Sequence, residues 1–427
     1  MAANAQPQQP SSRHTYEARS TTPWWLPVLL GFLTAVVPLS TDIYLPSFPS
    51  MVNSLHTGLS SVQMTLSIWF IGLAIGQLTV GPLSDRFGRR MPLIAGNVVF
   101  AVSSAVCAAA PDILTFSIAR FIASIGASAS LVIPTACVRD LVPDQREGAR
   151  MMSKLVMVMG VVPILAPMLG GIVVTFVSWR VIFWASAVYG VLCVMLVLRM
   201  LPETLAPELR LRLPPITLMT RYVMLLRHRA FLSHALIAGF STFLSFSYLT
   251  AASPVFINGF HFTPFQFSML FGLFAVFMIG ASQVNGALVS RFDPHKILSV
   301  AICLSLAGSL LLAAISFWLN AHSPLPHAQS LMIILVIMAM LLTLSPTGVI
   351  YPNATMGALA DHARVAGTAS ALAGTMQYVF GAIAGVLIGL LSSLPFFASE
   401  TPLPMAIGMA TGAIAMLFCL PMRPSVR

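Results

Sequence analysis

The stretch GPLSDRFGRR, residues 81–90, interrupts a long apolar sequence with a cluster of charged side chains. Apolar runs flank it at about 61–80 and 92–110, and each is close to the roughly 20 residues that a helix needs to cross a hydrocarbon core about 30 Å thick. The stretch therefore predicts a short loop between two membrane-spanning helices. Arginines in short loops lie on the cytoplasmic side of a membrane, so the loop also predicts the orientation of the chain.

Composition places the whole chain in a membrane. Hydrophobic residues make up 57% of the sequence, charged residues only 8%, and the mean hydropathy is +0.90. A formal charge of +10 can indicate nucleic-acid binding, but 20 of the 22 Lys and Arg fall on one side of the predicted spans, which is the bias that membrane proteins show. We therefore predict an all-α polytopic membrane protein that contacts the lipid bilayer and binds no nucleic acid.

Twelve apolar runs predict twelve transmembrane helices. The first begins near Trp24, and the others lie at about 61–82, 92–110, 113–137, 152–176, 181–201, 231–256, 265–289, 296–318, 329–353, 366–391 and 403–421. An even number of spans places both termini on one side of the membrane. Arg13, Arg19, Arg423 and Arg427 predict that this side is cytoplasmic.

The longest polar interruption, residues 202–229, divides the spans into two halves. It predicts a cytoplasmic linker between one six-helix bundle at 23–201 and another at 230–421. Residues 1–22 lack apolar periodicity, and we expect a disordered cytoplasmic tail there and a short cytoplasmic tail at 422–427. The halves repeat weakly, since GALVSRF at 286–292 echoes GPLSDRF at 81–87. The second copy lacks the acid and the double arginine, so we expect its loop to be less constrained.

Several stretches resemble known families. GPLSDRFGRR resembles motif A of the major facilitator superfamily, G-x-L-x-D-R-x-G-R-R, at every specified position. STDIYLP at 40–46 is similar to a signature of the Bcr/CflA family of bacterial drug:proton antiporters, and residues 160–171 resemble motif C of antiporters. Arg120 resembles the arginine of motif B, although Ala123 stands where that motif has glutamine. The resemblance covers about residues 35–400.

The resemblance implies the major facilitator fold of two six-helix halves and a proton-coupled antiporter that exports hydrophobic drugs or related small molecules. It implies a multi-pass protein of the bacterial inner membrane, acting as a monomer on a small hydrophobic substrate and protons, with neither cofactor nor metal. Motif A would gate the cytoplasmic side, with Asp85 touching the end of span 11 and Arg86 paired with Asp140. The gating residues carried over are Gly81, Asp85, Arg86, Gly88, Arg89, Arg90 and Asp140.

Two isolated charges inside apolar runs can be interpreted without the family. Asp42 is the only carboxylate within the hydrophobic run of a predicted span, and a buried acid is costly unless it is paired or has a task. It is either a proton carrier or a structural acid near the outer mouth of span 1. Arg120 in span 4 either snorkels to the interface or compensates Asp42 directly. We predict that the two form a proton-coupling pair.

The motif C residues, Gly160, Pro163, Pro167, Gly170 and Gly171, have a packing rationale. Glycines let helices approach closely, and prolines remove backbone donors and bend a helix. A kinked hinge against the other half is favoured over generic packing, and the resemblance implies that it seals the cytoplasmic side. Candidates for the wall of a substrate cavity are Trp69, Tyr248, Gln377 and Tyr378, each of which is otherwise a packing residue.

Two other functions stay open. A proton-coupled importer of a small nutrient could use the same fold, although motif C argues against it. A polytopic membrane enzyme is the second, but the chain contains no H-E-x-x-H or G-x-S-x-G sequence, and no Walker A sequence that would bind a nucleotide. We therefore predict that the proton gradient drives transport.

Overall fold

The computed structural model describes residues 23, 25–142, 145–210, 214–321, 326–362, 365–394 and 401–422. The tail predicted at 1–22 lies outside these residues, and so does the tail at 422–427 apart from Met422. Every regular element in the described part of the chain is helical. The prediction of an all-α polytopic membrane protein is confirmed.

The described residues of the first half form eight helices. They are α1 (Leu26–Thr34), α2 (Val36–Asp42), α3 (Phe48–Ser54), α4 (Leu59–Phe87), α5 (Arg90–Ala109), α6 (Ile113–Leu141), α7 (Gln145–Phe176) and α8 (Arg180–Met200). The first three, with a 3-10 turn at Leu45–Ser47, together make one broken span. Prolines interrupt it because each lacks a backbone donor.

The second half also forms eight helices. They are α9 (Pro215–Arg227), α10 (Arg229–Ser253), α11 (Pro264–Val289), α12 (Pro294–Ala321), α13 (Pro326–Leu344), α14 (Thr347–Leu359), α15 (Ala366–Ser393) and α16 (Leu403–Cys419). A π-helical segment, Pro254–Gly259, extends α10, and α13 and α14 form one span broken before Pro346. Helix α9 lies inside the predicted linker at 202–229.

Eleven spans in the described residues are long and apolar enough to cross a membrane. The remaining predicted span, at 152–176, lies within α7, a continuous helix of 32 residues whose described apolar part is Gly160–Phe176. The predicted set of twelve spans is thereby accounted for. The helices run longer than the apolar runs, since α4 continues through the charged residues of motif A as far as Phe87.

The helix ends define two faces of the molecule. The basic face carries the ends with Arg86, Arg139, Arg199 and Arg229, and the opposite face carries the other ends, including Gly58 and Asp112. Helix α4 packs against α15, and α7 packs against α11, so these two pairs join the first half to the second. Near the opposite face, Ser60 donates a hydrogen bond to the Gly389 carbonyl at 2.9 Å and Gln63 donates one to the Thr250 carbonyl at 3.2 Å.

Candidate functional site

A central cavity of about 330 Å³ lies between the two halves. Its wall is apolar and aromatic apart from a few polar side chains, which is the usual character of a small-molecule site. The first half contributes Val37, Pro38, Thr41, Asp42, Phe70, Gly160 and Pro163, and the second contributes Ser245, Phe246, Tyr248, Leu249, Phe271, Phe274, Ala275, Met278, Ile279, Leu344 and Tyr378. Asp42 is the only carboxylate among these lining residues.

Three successive residues at the end of α2 contact three different parts of the molecule. The Ser40 carbonyl accepts a hydrogen bond from Arg120 Nη2 at 3.2 Å, and Thr41 Oγ1 accepts one from the Trp69 indole at 3.0 Å. Asp42 itself lies on the cavity wall and is 6% exposed. A helical turn separates side chains by about 100° per residue, so the last turn of α2 can serve all three contacts.

Arg120 is held by aromatic rings and not by a carboxylate. Its guanidinium carbon lies 4.0 Å from the centre of the Trp69 ring, 4.6 Å from that of Tyr44 and 5.5 Å from that of Phe183, all within cation–π range. No Asp or Glu among the described residues lies within 4.0 Å of it. The prediction that Arg120 compensates Asp42 directly is therefore wrong for this conformation, because the rings and the Ser40 carbonyl take up the cation. Its 2% exposure also rules out snorkelling.

The four predicted cavity residues divide into two groups. Tyr248 and Tyr378 line the cavity. Trp69 is fully buried between Thr41 and Arg120, and Gln377 is 8% exposed; among the described residues, neither is part of the cavity wall. The prediction for these two is wrong because helical phase turns their side chains into the packing between helices.

An aromatic stack that sequence reasoning missed borders the cavity. The rings of Phe70 on α4 and Phe246 on α10 are stacked with centroids 3.9 Å apart, and Phe70 and Tyr378 on α15 are 6.1 Å apart. The chain contains 27 phenylalanines, so composition offered no signal for this contact. The stack joins the first half to the second at the cavity wall.

The motif C residues pack α7 tightly on two sides. A Cβ at Gly170 would collide with the carbonyl oxygen of Ile43, the neighbour of Asp42. A Cβ at Gly171 would collide with Ser268 and lie 2.8 Å from the Pro264 carbonyl of α11. Gly160 and Pro163 line the cavity, and Pro167 is buried. Glycine is needed at 170 and 171 because backbone atoms of both halves approach there.

The motif A loop consists of two residues, Gly88 and Arg89, between α4 and α5. Arg89 is 7% exposed and binds two carboxylates, with Nη1 2.6 Å from Asp85 and Nε 2.9 Å from Asp140. Thr204 also donates to Asp140 at 3.2 Å. The predicted pairing of Arg86 with Asp140 is wrong: Arg86 lies over the Phe87 ring at 5.4 Å, because α4 continues to Phe87 and turns Arg86 away from α6.

Asp85 stays within the first half in this structure. Its described ionic contact is with Arg89, and the predicted contact with the start of α15 is not seen among the described residues. The side chain that approaches that point is Arg139 of α6, whose Nη1 would lie 3.9 Å from a Cβ at Gly367. Gly81 faces α6, where a Cβ would lie 4.0 Å from Val132.

Glu203 is a further member of the motif A network. Its carboxylate accepts hydrogen bonds from the backbone of Arg89 at 2.7 Å and of Arg90 at 3.3 Å, where the start of α5 favours an anion. Gly88 has φ +94, and a Cβ there would collide with this carboxylate. Arg90 donates through its side chain to the Leu198 carbonyl at 2.6 Å. Sequence reasoning predicted no contact between Glu203 and the motif A loop, although the position of Glu203 just after α8 was a signal for it.

The comparisons with known proteins agree with this architecture. Residues 30–386 match the sequence model of the Major Facilitator Superfamily. An uncharacterized MFS-type transporter of Bacillus subtilis is 34% identical over 86% of this chain and 88% of that protein. A bicyclomycin resistance protein homolog of Haemophilus influenzae is 30% identical over 84% and 87%, and a chloramphenicol resistance protein of Pseudomonas aeruginosa is 27% identical over 86% and 82%.

A solved structure gives the same fold. The crystal structure of a D-xylose-proton symporter superposes with a TM-score of 0.72 at 17% identity, over 93% of this chain and 97% of that one. The sequence match extends over both halves and includes the motif A loop, the Asp42 region and motif C. The chain therefore belongs to the major facilitator superfamily of membrane transporters and has its fold of two six-helix halves.

Proposed function

We propose that this protein is a proton-coupled antiporter that exports hydrophobic drugs or related small molecules, as in the Bcr/CflA family. Relatives named for bicyclomycin resistance, chloramphenicol resistance and multidrug resistance support this reading. Bacterial relatives support a location in the inner membrane. The basic face is cytoplasmic, which puts both termini and the linker at 202–229 on that side. The division at 23–201 and 230–421, and action as a monomer, belong to the same proposal.

The observation that carries the proposal is a single carboxylate on the wall of an apolar, aromatic cavity between the halves. A charged carboxylate beside apolar surface is unfavourable, and a protonated one is not. Antiport requires the substrate and the proton to compete at Asp42. In this mechanism a hydrogen-bond donor or cationic group of the substrate binds the charged carboxylate, whereas the apolar cavity without substrate favours the protonated acid. Asp42 is the proton carrier in this mechanism.

Arg120 acts on Asp42 through the backbone. It holds the Ser40 carbonyl two residues before the acid, and its aromatic cage includes Trp69, which holds Thr41. Asp42 can exchange surroundings that favour its protonated form for surroundings that favour its charged form only if α2 moves. Such a movement has to break or rearrange these contacts. Arg120 is therefore a positioning residue in this conformation, and it becomes a counter-charge only when α2 moves.

The motif A and motif C residues are the gates. On the basic face, Arg89 joins α4, α5 and α6 through Asp85 and Asp140, while Glu203 fixes the loop backbone. Gly81, Arg86, Gly88 and Arg90 complete that latch.

Motif C provides the hinge of α7, whose glycines contact both the Asp42 region and α11. Each proton that moves inward along a potential of 100 mV supplies about 2.3 kcal/mol for alternating between the gated states.

Asp42→Asn in purified protein reconstituted into vesicles tests the proposal. The substitution keeps the shape and hydrogen-bonding capacity of the side chain but cannot bind or release a proton. We expect substrate binding within a few-fold of wild type, and loss of both gradient-driven export and substrate-induced proton release. Asp112→Asn is the matched control, because Asp112 is an exposed helix cap on the opposite face.

Two outcomes would contradict the proposal. One is export by Asp42→Asn that remains fully gradient-driven, and the other is proton release of wild-type size when substrate is added to that variant. Substrates are chosen by growth of an efflux-deficient host on phenicols, bicyclomycin, sulfonamides and lipophilic cations. Accumulation of substrate in cells in place of its loss would favour the importer instead. Expression and thermal melting, measured alongside, separate loss of coupling from loss of folding.

A further inference from the structure

A polar seam runs through the contact of α4 with α10 and α15, between the cavity and the opposite face. We define it as Ser60, Gln63 and Ser67 of α4, Thr250 and Ser253 of α10, and Gly385 and Gly389 of α15. Ser60 is half-buried, and the other side chains of the seam are 0–1% exposed. Contacts between the closed halves of a membrane protein do not require such polarity, because apolar side chains pack equally well there.

The seam contains polar atoms that have no partner. Gln63 Oε1, Ser67 Oγ, Thr250 Oγ1 and Ser253 Oγ make no hydrogen bond with any described protein group. A buried hydroxyl in a helix normally donates to the carbonyl one turn earlier, as Thr65 does to Val62 at 2.6 Å. Leaving such a group unsatisfied is costly, so four together in one seam require an explanation.

The seam leads to the cavity. On α4, residues 60, 63 and 67 lie on one helical face, and the next residue on that face is Phe70, which lines the cavity. On α10, Phe246, Thr250 and Ser253 lie on one helical face, and Phe246 also lines the cavity. Tyr248, another lining residue, has a hydroxyl that lacks a partner among the described residues. The orphan groups are therefore arranged in a line from the opposite face toward the wall that carries Asp42.

The seam is also narrow, and small residues line it. A Cβ at Gly385 would collide with Ser67 Oγ and lie 3.4 Å from Thr250 Oγ1, so both hydroxyls border the space that glycine leaves free. At the cavity end, the stack of Phe70, Phe246 and Tyr378 closes the line with apolar surface. A slight separation of α4 from α15 would give the orphan hydroxyls room for water, which can satisfy two to four polar partners at once.

We propose that the polar seam is the hydrated route by which protons reach Asp42 from the opposite face, with the aromatic stack as its barrier. This inference rests on the proposed role of Asp42 as proton carrier. When the halves part at the seam, water bonds to Ser67, Thr250 and Gln63 and extends to the cavity. A proton passes along the water and binds the Asp42 carboxylate, and the water is left neutral. After alternation, Asp42 gives the proton to water on the basic face.

Thiol labelling tests whether the seam becomes wet. Ser67→Cys and Thr250→Cys are made in a background whose five native cysteines, all free thiols, are replaced by alanine. The probe is a membrane-impermeant, positively charged methanethiosulfonate added from the opposite face. Ser305→Cys is the matched control, since Ser305 is fully buried but lies within the second half, where it donates to the Thr343 carbonyl. We expect the seam cysteines to react at least about tenfold faster than the control, because reaction requires a hydrated thiolate.

A double variant, Ser67→Ala with Thr250→Val, tests whether the water carries protons. Since both hydroxyls lack partners when the seam is closed, apolar side chains of similar shape should leave the melting temperature unchanged or raise it. We expect substrate binding to be unchanged while gradient-driven export and proton release slow several-fold. A purely structural role would instead lower melting temperature and export together.

The outcomes separate the two proposals. If the seam cysteines react no faster than the control with the proton gradient in either direction, the hydrated route is wrong. That conclusion holds even if Asp42→Asn abolishes coupling. The proposal would also be overturned if the seam cysteines are labelled but the proton flux of the double variant equals that of wild type. The seam would then contain water without carrying protons. If labelling succeeds and Asp42→Asn remains coupled, the seam is a water path and the assignment of Asp42 is what fails.

Discussion

The two halves of this protein share a topology but place their charges differently. Asp42, Arg89 and Arg120, the buried charged residues of the first half, lie in α2, the motif A loop and α6. Among the described residues of the second half, His234 is the only buried Asp, Glu, Lys, Arg or His. Five of the six aromatic residues on the cavity wall come from the second half, and Phe70 alone comes from the first.

The same contrast appears in the two copies of motif A. The first loop buries Arg89 between Asp85, Asp140 and the Glu203 contacts, whereas residues 290–294 of the second copy are exposed and a Cβ at Gly286 meets nothing within 4 Å. The comparison indicates a division of labour on one fold. In the proposed mechanism, the first half carries the ionic latch and the proton site, and the second half supplies most of the apolar surface for substrate.

Removing the central cation of the first loop should have the largest effect. Arg89→Ala leaves Asp85 and Asp140 without their shared partner, and we expect a loss of about 2 to 3 kcal/mol of stability together with most export. Arg291→Ala, at the exposed arginine of the second copy that aligns with Arg86, should behave as wild type. Thermal melting and vesicle export measure both effects. Equal effects of the two substitutions would break the comparison between the loops.

Crowding α7 against the proton site should have the next largest effect. A Cβ at Gly170 meets the Ile43 backbone, which cannot move without moving Asp42, so Gly170→Ala should cost about 2 kcal/mol and impair coupling. Gly280→Ala on α11 is the control, because a Cβ there meets nothing within 4 Å. Proton release per substrate bound is the readout. Wild-type coupling in Gly170→Ala would show that the α7 contact is only packing.

The backbone of the first loop gives a smaller effect. Gly88 has φ +94 and faces Glu203, so Gly88→Ala combines backbone strain with a displaced carboxylate, at about 1 kcal/mol. Gly286→Ala lies in open space and should cost nothing by this route. The melting temperatures of the two variants test this difference. If Gly88→Ala has the same melting temperature as wild type, Glu203 does not fix the loop.

The smallest effect concerns a histidine pair at the basic face of the second half. His362 Nε2 lies 3.2 Å from His228 Nδ1, and burial together with His228 lowers the pKa of His362. The folded state therefore binds this proton less readily than the unfolded chain, whose value is about 6.5. Stability from this group is present above about pH 6.5 and is lost as pH falls toward the folded-state pKa.

Melting curves between pH 7.5 and pH 5 measure this contribution. His362→Gln should reduce the fall in melting temperature across that range. His56→Asn is the control, because it removes an imidazole from the first half at a positive φ that asparagine tolerates. An unchanged pH dependence in His362→Gln would show that the pair contributes nothing to stability.

Local sequence was sufficient for most of the fold and for part of the site. Hydropathy predicted the spans because a helix in lipid must satisfy its backbone internally and cover about 30 Å with apolar side chains. The isolation of Asp42 singled out the cavity carboxylate for the same reason, since a charge in an apolar run is visible without knowing its neighbours. Tyr248 and Tyr378 also reached the cavity as predicted, whereas Trp69 and Gln377 did not.

The sequence by itself determined that this is a two-half membrane transporter with one acid inside its first span. Only the tertiary structure decided the partners: Arg120 in an aromatic cage, Arg89 in place of Arg86 on Asp140, Glu203 on the loop backbone, and orphan polar groups where α4 meets α10. Composition and periodicity report what each helix presents to lipid or to protein. They do not report which residue of another helix comes to lie opposite, because that depends on helix rotation and crossing, set by packing of all the helices together.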